Sequence, residues 1–88
     1  MIRGTVLGEV WATRKAAGLE GYKLVVIGVH GEDRAIVAVD TLDARRGQEV
    51  LVAMGSGARN VIAAGPDNRG VLCDAAVAMV VDGGTEGA

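Results

Sequence analysis

Eighty-eight residues set the scale of one small domain, half of it apolar, with a formal charge of only −2 and a sequence pI near 5.2. That mild acidity gives no electrostatic reason to bind nucleic acid or an anionic membrane, and the longest apolar runs are far too short to span a bilayer. The single cysteine, Cys73, cannot form an internal disulfide, and "MIRGTVLGEV" holds no uninterrupted apolar stretch to act as a secretion signal, so a soluble cytoplasmic protein is expected.

The composition favours strands. Valine, alanine and glycine each occur 14 times, against one tryptophan, one tyrosine and no phenylalanine. Valine's branched side chain suits a pleated surface, and glycine at this density implies turns or close backbone approach. From the N-terminus, Ile2, Gly4, Val6, Gly8, Val10 and Ala12 alternate with Arg3, Thr5, Glu9 and Thr13. Period two predicts a half-buried first strand over residues 2–13. "RKAAGLEG" reads as a loop. "YKLVVIGVH", "RAIVAVD", "EVLVAM" and "AAVAMVV" supply four further strands, with "GED" short enough to join the second and third as a hairpin. One domain over residues 1–82 is expected, with residues 83–88 as a flexible tail.

Two of these strands lack alternation. "LVVIGV" and "AVAMVV" are apolar on both faces, a pattern that α/β proteins cover with helices on each side. This chain has room for hardly one helix. One face can close on itself as a barrel, and the other needs cover from elsewhere, most cheaply from another copy of the same chain. Val25 is placed on this second face and becomes an interface candidate. Gly28, Ala38, Ala53, Ala76 and Ala78 are small enough to let neighbouring backbones approach closely.

The stretch "VLVAMGSGARNV" raises the question of a phosphate loop. A P-loop needs GxxxxGK[ST] and a dinucleotide fingerprint needs GxGxxG before a long helix. Here there is no lysine, the third fingerprint position is Asn60, and Gly65-Pro66 stops the helix after about two turns. The structural reading has Ser56 as N-cap of a short helix, "GARNVIAA", lidding one end of a five-stranded OB-like barrel. OB folds that bind single strands combine a basic groove with aromatic platforms, and this chain supplies neither. His30, the only histidine, reads as an exposed turn residue, and Cys73 as a small packed side chain. Asp40, Asp43 and Glu49 cluster around one loop but lack calcium-loop spacing, so solvated turn carboxylates are expected. Trp11 reads as a packing or interface residue. No catalytic group, cofactor or metal site is expected, and the chain reads as a non-enzyme.

Three longer stretches then carry a likeness. "GEVWATRKAAGLEGYKLVVI", "AVDTLDARRGQEVLVAMGSGAR" and "CDAAVAMVVD" follow one another in an order and spacing that resembles the EutN/CcmL family of bacterial microcompartment vertex proteins. The resemblance implies a five-stranded OB-like barrel forming a cyclic homopentamer, a structural protein that caps shell vertices among hexameric shell proteins in the cytoplasm. A small OB-fold binding module for single-stranded nucleic acid or peptide is the alternative. The resemblance also suggests an ion pair from Arg59 to Asp74 or Asp40, and a loop carrying Ala44 and Arg45 near the fivefold axis. In that loop relatives commonly carry glycine-alanine-glycine, where this chain has Asp43-Ala44-Arg45.

Overall fold

The computed structural model of the chain describes residues 1–12, 14, 19, 21–63 and 73–81, and the side chains of all of these except 59, 60, 62 and 63. The elements run β1 (Ile2–Glu9), β2 (Lys23–Val29), β3 (Ala35–Asp40), β4 (Glu49–Met54), α1 (Ser56–Ala63) and β5 (Ala75–Val81). The two later strands have the expected limits, and β2 and β3 are each trimmed by a residue or two at their ends. Most of "RKAAGLEG", the segment after α1 and the tail lie outside the described residues.

The strands close into a barrel in the order β1-β2-β3-β5-β4, and closure removes the unpaired edges that an open sheet would expose. Four of the five joints are antiparallel. The fifth, between β3 and β5, is parallel and reduces to a single register pair, Val39 with Ala76. The inside of the barrel is filled by Val6, Val25, Ile27, Ala38, Val50, Val52, Ala75 and Val77. A buried side chain of this kind stabilises by about 1.5–3 kcal/mol relative to an exposed one.

Val25 therefore belongs to the inside. It is 0% exposed and sits in the barrel core, so the expectation of an interface role is overturned. The physical reason is its register. Val25 pairs with Ala38 across β2–β3, and both lie in the phase shared by Ile27 and Val29, leaving Leu24 and Val26 outward.

A second shift of phase occurs in β1. The β1–β2 register breaks between Val6 and Gly8, so that Leu7 is an extra residue in a bulge. Val6 is buried, but Leu7 stands half exposed, and Glu9 opposes inward-facing Val25. Exposure nonetheless keeps the predicted alternation through the bulge, with Gly8 and Val10 part buried and Leu7 and Glu9 exposed.

The corner "GSGAR" is structural, though it is built one residue earlier than expected. Gly55 has φ +60, a left-handed conformation that costs glycine little, and its carbonyl accepts from the Ala58 amide at 3.1 Å. Ser56 is thus the first helical residue, and Gly55 holds the flanking position assigned to Ser56. The Gly55 amide donates to the Asp74 carbonyl at 2.7 Å, which ties the end of β4 to the start of β5.

The helix does not plug the barrel's end. Val39, Ala58 and Ala76 form a second buried cluster, with Leu19, Tyr22, Leu24, Val61 and Cys73 packed against it. Their sequence neighbours Ala38, Ala75 and Val77 lie in the interior cluster, so alternation places the second cluster on the outer face. Helix α1 covers the thin β3–β5 joint from outside.

Candidate functional site

The polar residues with the most structure around them lie at one mouth of the barrel, in the loop of residues 41–48. Asp40 ends β3 with its side chain fully buried. One carboxylate oxygen accepts from the Leu42 amide at 2.9 Å, the other from the Ala44 amide at 2.7 Å. Capturing amides two and four residues onward is what aspartate does at a turn, and it fixes the loop's exit from β3. Across the β2–β3 ladder Asp40 pairs with Lys23. The Lys23 ammonium donates to the Ala44 carbonyl at 2.8 Å and to Asp43 Oδ1 at 3.2 Å, and lies 3.7 Å from Asp40 Oδ2. Two hydrogen bonds and one longer ion-pair contact thus hold the ammonium.

Asp43 stands at a backbone position that glycine would adopt at least cost. Asp43 has φ +56, the one positive φ at a non-glycine among the described residues. This left-handed turn costs about 1–2 kcal/mol for an L-residue, least for Asp and Asn. Hydrogen bonds from Arg45 Nη2, at 3.1 Å, and from Lys23 hold its carboxyl below the usual carboxylate range. A charge clamp holds the turn in place.

Ala44 is not at a rim. Its methyl is buried in the barrel core, whereas Arg45 is exposed at the loop's tip, so of the two residues expected near the fivefold axis only Arg45 offers its side chain to the surface. The loop is also tied to β1. Val6 donates to the Gln48 carbonyl at 2.9 Å and accepts from the Gly47 amide at 2.8 Å. Lys23, which organises the loop, was missed in the sequence. A lysine opening an apolar strand opposite an aspartate that closes its hairpin partner is the signal that points to it.

A pocket of about 210 Å³ opens at this mouth, floored by Val6, Val25 and Ala44 and framed by Glu9, Lys23 and Arg46. Ligand sites usually enclose roughly 300–1,000 Å³, and the one ammonium here is already engaged. The expected solvated carboxylates are each held differently: Asp40 is buried, Asp43 is clamped, and Glu49 pairs with Arg3. Among the described residues no three His, Cys, Asp or Glu side chains converge as a metal site. His30 is exposed in the β2–β3 turn, hydrogen-bonded through Nε2 to Thr5 Oγ1 at 2.7 Å. Cys73 is half buried against the second cluster. Asp74 is exposed, while the Arg59 side chain lies outside the described residues. Asp40 is closed off within its own loop, which leaves Asp74 as the partner to weigh for Arg59. Of the two aromatic residues, Tyr22 packs against the second cluster and Trp11 stands 85% exposed beyond β1.

What remains is the outer wall. Away from α1, Leu7, Val26 and Val37 lie on the outside of β1–β2–β3, Val26 directly opposite Val37. On β4–β5, Leu51 lies opposite Met79, which is 52% exposed. Fold and surface together define a class: a small closed barrel that presents apolar walls.

Comparison with known proteins places the chain within that class. It belongs to the EutN/CcmL family, described as ethanolamine utilisation protein EutN/carboxysome, whose profile matches residues 1–82. It is 37% identical over 87 residues to the bacterial microcompartment shell vertex protein GrpN of Rhodospirillum rubrum (strain F11), covering 93% of each chain. It is 39% identical over 82 residues to the carboxysome shell vertex protein CcmL of Thermosynechococcus vestitus, covering 88% of this chain and 79% of the relative. Its fold superposes with a TM-score of 0.78 on the structure of the pentameric shell protein GrpN from Rhodospirillum rubrum, at 34% identity over 93% of this chain and 94% of that one.

Proposed function

We infer that this chain is a structural shell protein whose cyclic pentamer closes the vertices of a bacterial microcompartment in the cytoplasm. The observation that carries this reading is the near full-length likeness to a pentameric shell protein with the same barrel. The physical logic agrees. A flat hexagonal layer cannot close, and fivefold units at its corners supply the curvature, so hexameric shell proteins are the partners this role requires. The outer wall of each barrel gives the ring something to bury. Catalysis has no part in the role. The nucleic-acid alternative loses its footing because the two aromatics form no stacking platform: one is packed away and the other stands alone.

On this reading the charged tip at Arg45 is the candidate rim of the fivefold axis, and Arg59 with Asp74 is the candidate ion pair, a planar guanidinium suiting a carboxylate. If Arg59→Lys leaves the assembly as stable as wild type, that pair is not structural. Native mass spectrometry of the purified chain tests the assembly directly. A particle of five 8.9 kDa subunits is expected at low micromolar concentration; a monomer overturns the reading. Trp11 gives a second readout, because a side chain so exposed in the single barrel shifts its emission to the blue if assembly covers it.

A further inference from the structure

The pocket at the barrel's mouth has no task in the shell role. Its floor is apolar, from Val6, Val25 and Ala44, and its rim carries Glu9, Lys23 and Arg46. Lys23 is committed to Ala44, Asp43 and Asp40. Glu9 and Arg46 are not. Both are exposed, and among the described residues neither has a hydrogen bond or an ion pair. Gly8 keeps the space beside them open. Its backbone is not left-handed, and a methyl added there would meet nothing within 4 Å, so neither conformation nor crowding calls for glycine. The volume, about 210 Å³, falls short of a cofactor site but exceeds the roughly 150 Å³ that holds a benzene ring.

We propose that this pocket binds a small zwitterion, an amino acid with a compact apolar side chain. Arg46 takes the carboxylate, Glu9 takes the ammonium, and the apolar floor takes the side chain. A guanidinium offers paired N–H donors that match the two oxygens of a carboxylate. An ammonium offers three donors to the Glu9 carboxylate opposite. Charge balance separates a zwitterion from a simple ion. Around the mouth Lys23, Arg45 and Arg46 are matched by Glu9, Asp40 and Asp43, so no surplus field draws in an anion or a cation. A ligand with both charges satisfies both rim groups and leaves neither facing a like charge. With the polar end held at the rim, the floor has room for a side chain of about three or four carbons. Every residue in this site belongs to one barrel, so the inference stands apart from the pentamer reading.

Valine is the probe, titrated into the full chain in its native assembly, with the protein's valine and alanine methyl groups labelled for NMR. Saturable shifts at Val6, Val25 and Ala44 are expected at millimolar concentration. Two analogues carry one charge each: isovalerate lacks the ammonium and isobutylamine lacks the carboxylate. Each should bind about tenfold more weakly than valine, because one rim charge stays unpaired. Arg46→Gln should weaken valine by about tenfold and leave isobutylamine unchanged, whereas Glu9→Gln should weaken valine equally and leave isovalerate unchanged. Both residues are exposed, so both variants should melt as wild type does. Gly8→Leu fills the pocket and should abolish binding; if it fails to melt cooperatively, the two rim variants decide alone. Absence of saturable shifts overturns the proposal, as do shifts that Arg46→Gln and Glu9→Gln leave unchanged. Isovalerate binding as tightly as valine would remove Glu9 from the site, and isobutylamine doing so would remove Arg46; either result overturns the zwitterion. None of these failures touches the native mass, so they are distinct from a failure of the pentamer reading.

Discussion

The inner and outer faces of β2 are written in one alphabet. Val25, Ile27 and Val29 point in and are buried, while Leu24 and Val26 point out, the first under the cluster that α1 covers and the second beside half-exposed Val37. By composition the two sides are equivalent, but their tasks differ. The inner valines stabilise one barrel; the outer residues do so only where the chain supplies its own cover, at the β3–β5 joint. Apolar content alone therefore does not tell a folding surface from an assembly surface. Position relative to the strand's phase does.

Substitutions can separate these tasks. Val25→Asp places an unpaired carboxylate in a sealed core, and a loss beyond about 4 kcal/mol is expected, enough to leave the chain unfolded by circular dichroism. The same charge at Val37 should cost the single barrel no more than about 1 kcal/mol, read from urea melts of the monomer. If the two variants were equally destabilised, the inside–outside distinction would be wrong. Gly4→Ala tests how tightly the inside is filled. A methyl there would meet Ile27 Cγ2 and come within 2.6 Å of the Gly28 carbonyl oxygen, and backbone cannot step aside. Overpacking of this kind costs about 1–3 kcal/mol.

Asp40→Asn probes the barrel's mouth, where inside meets outside. The amide keeps one acceptor oxygen where the carboxylate offers two, and leaves Lys23 beside a neutral group. A destabilisation of about 1–3 kcal/mol is expected in denaturant melts. The smallest effect belongs to the exposed rim. Hydrogen bonds from Arg45 and Lys23 lower the Asp43 pKa, so its folded value lies below that of the unfolded chain. Its contribution is then fully present above pH of about 4 and is lost as pH falls through the folded value. Asp43→Asn keeps a residue tolerant of the left-handed turn while removing the charge. Its melting temperature should fall slightly below wild type at pH 7, and the gap should close in acid.

Strand positions were legible because runs of valine and alanine are bounded by glycine, charge and turn residues; β4 and β5 could be read to the residue. Phase was not. A strand apolar on both faces carries no alternation from which to read it, which is why Val25 was assigned to the wrong side. The Leu7 bulge shifts the pairing register after Val6, and a bulge has no compositional mark when its extra residue is a leucine. The family likeness carried the function and pointed to the loop after β3, but not to its internal order. Asp40 looked like a solvated turn carboxylate, although the amide donors it captures lie only two and four residues away. Ala44 looked like a loop residue because nothing in the sequence shows that the loop folds back over the barrel's mouth.

The β3–β5 joint has a mechanical meaning. Four joints of this hoop are laced over several rungs, and the fifth has a single rung, held shut by a clasp that belongs to a different element. A hoop of that design yields where it is least laced. Amide exchange should be fastest among strand residues beside Val39 and Ala76 and slowest along β1 and β2, and a substitution in Ala58 that loosens the clasp should widen that gradient before it lowers the stability of the whole.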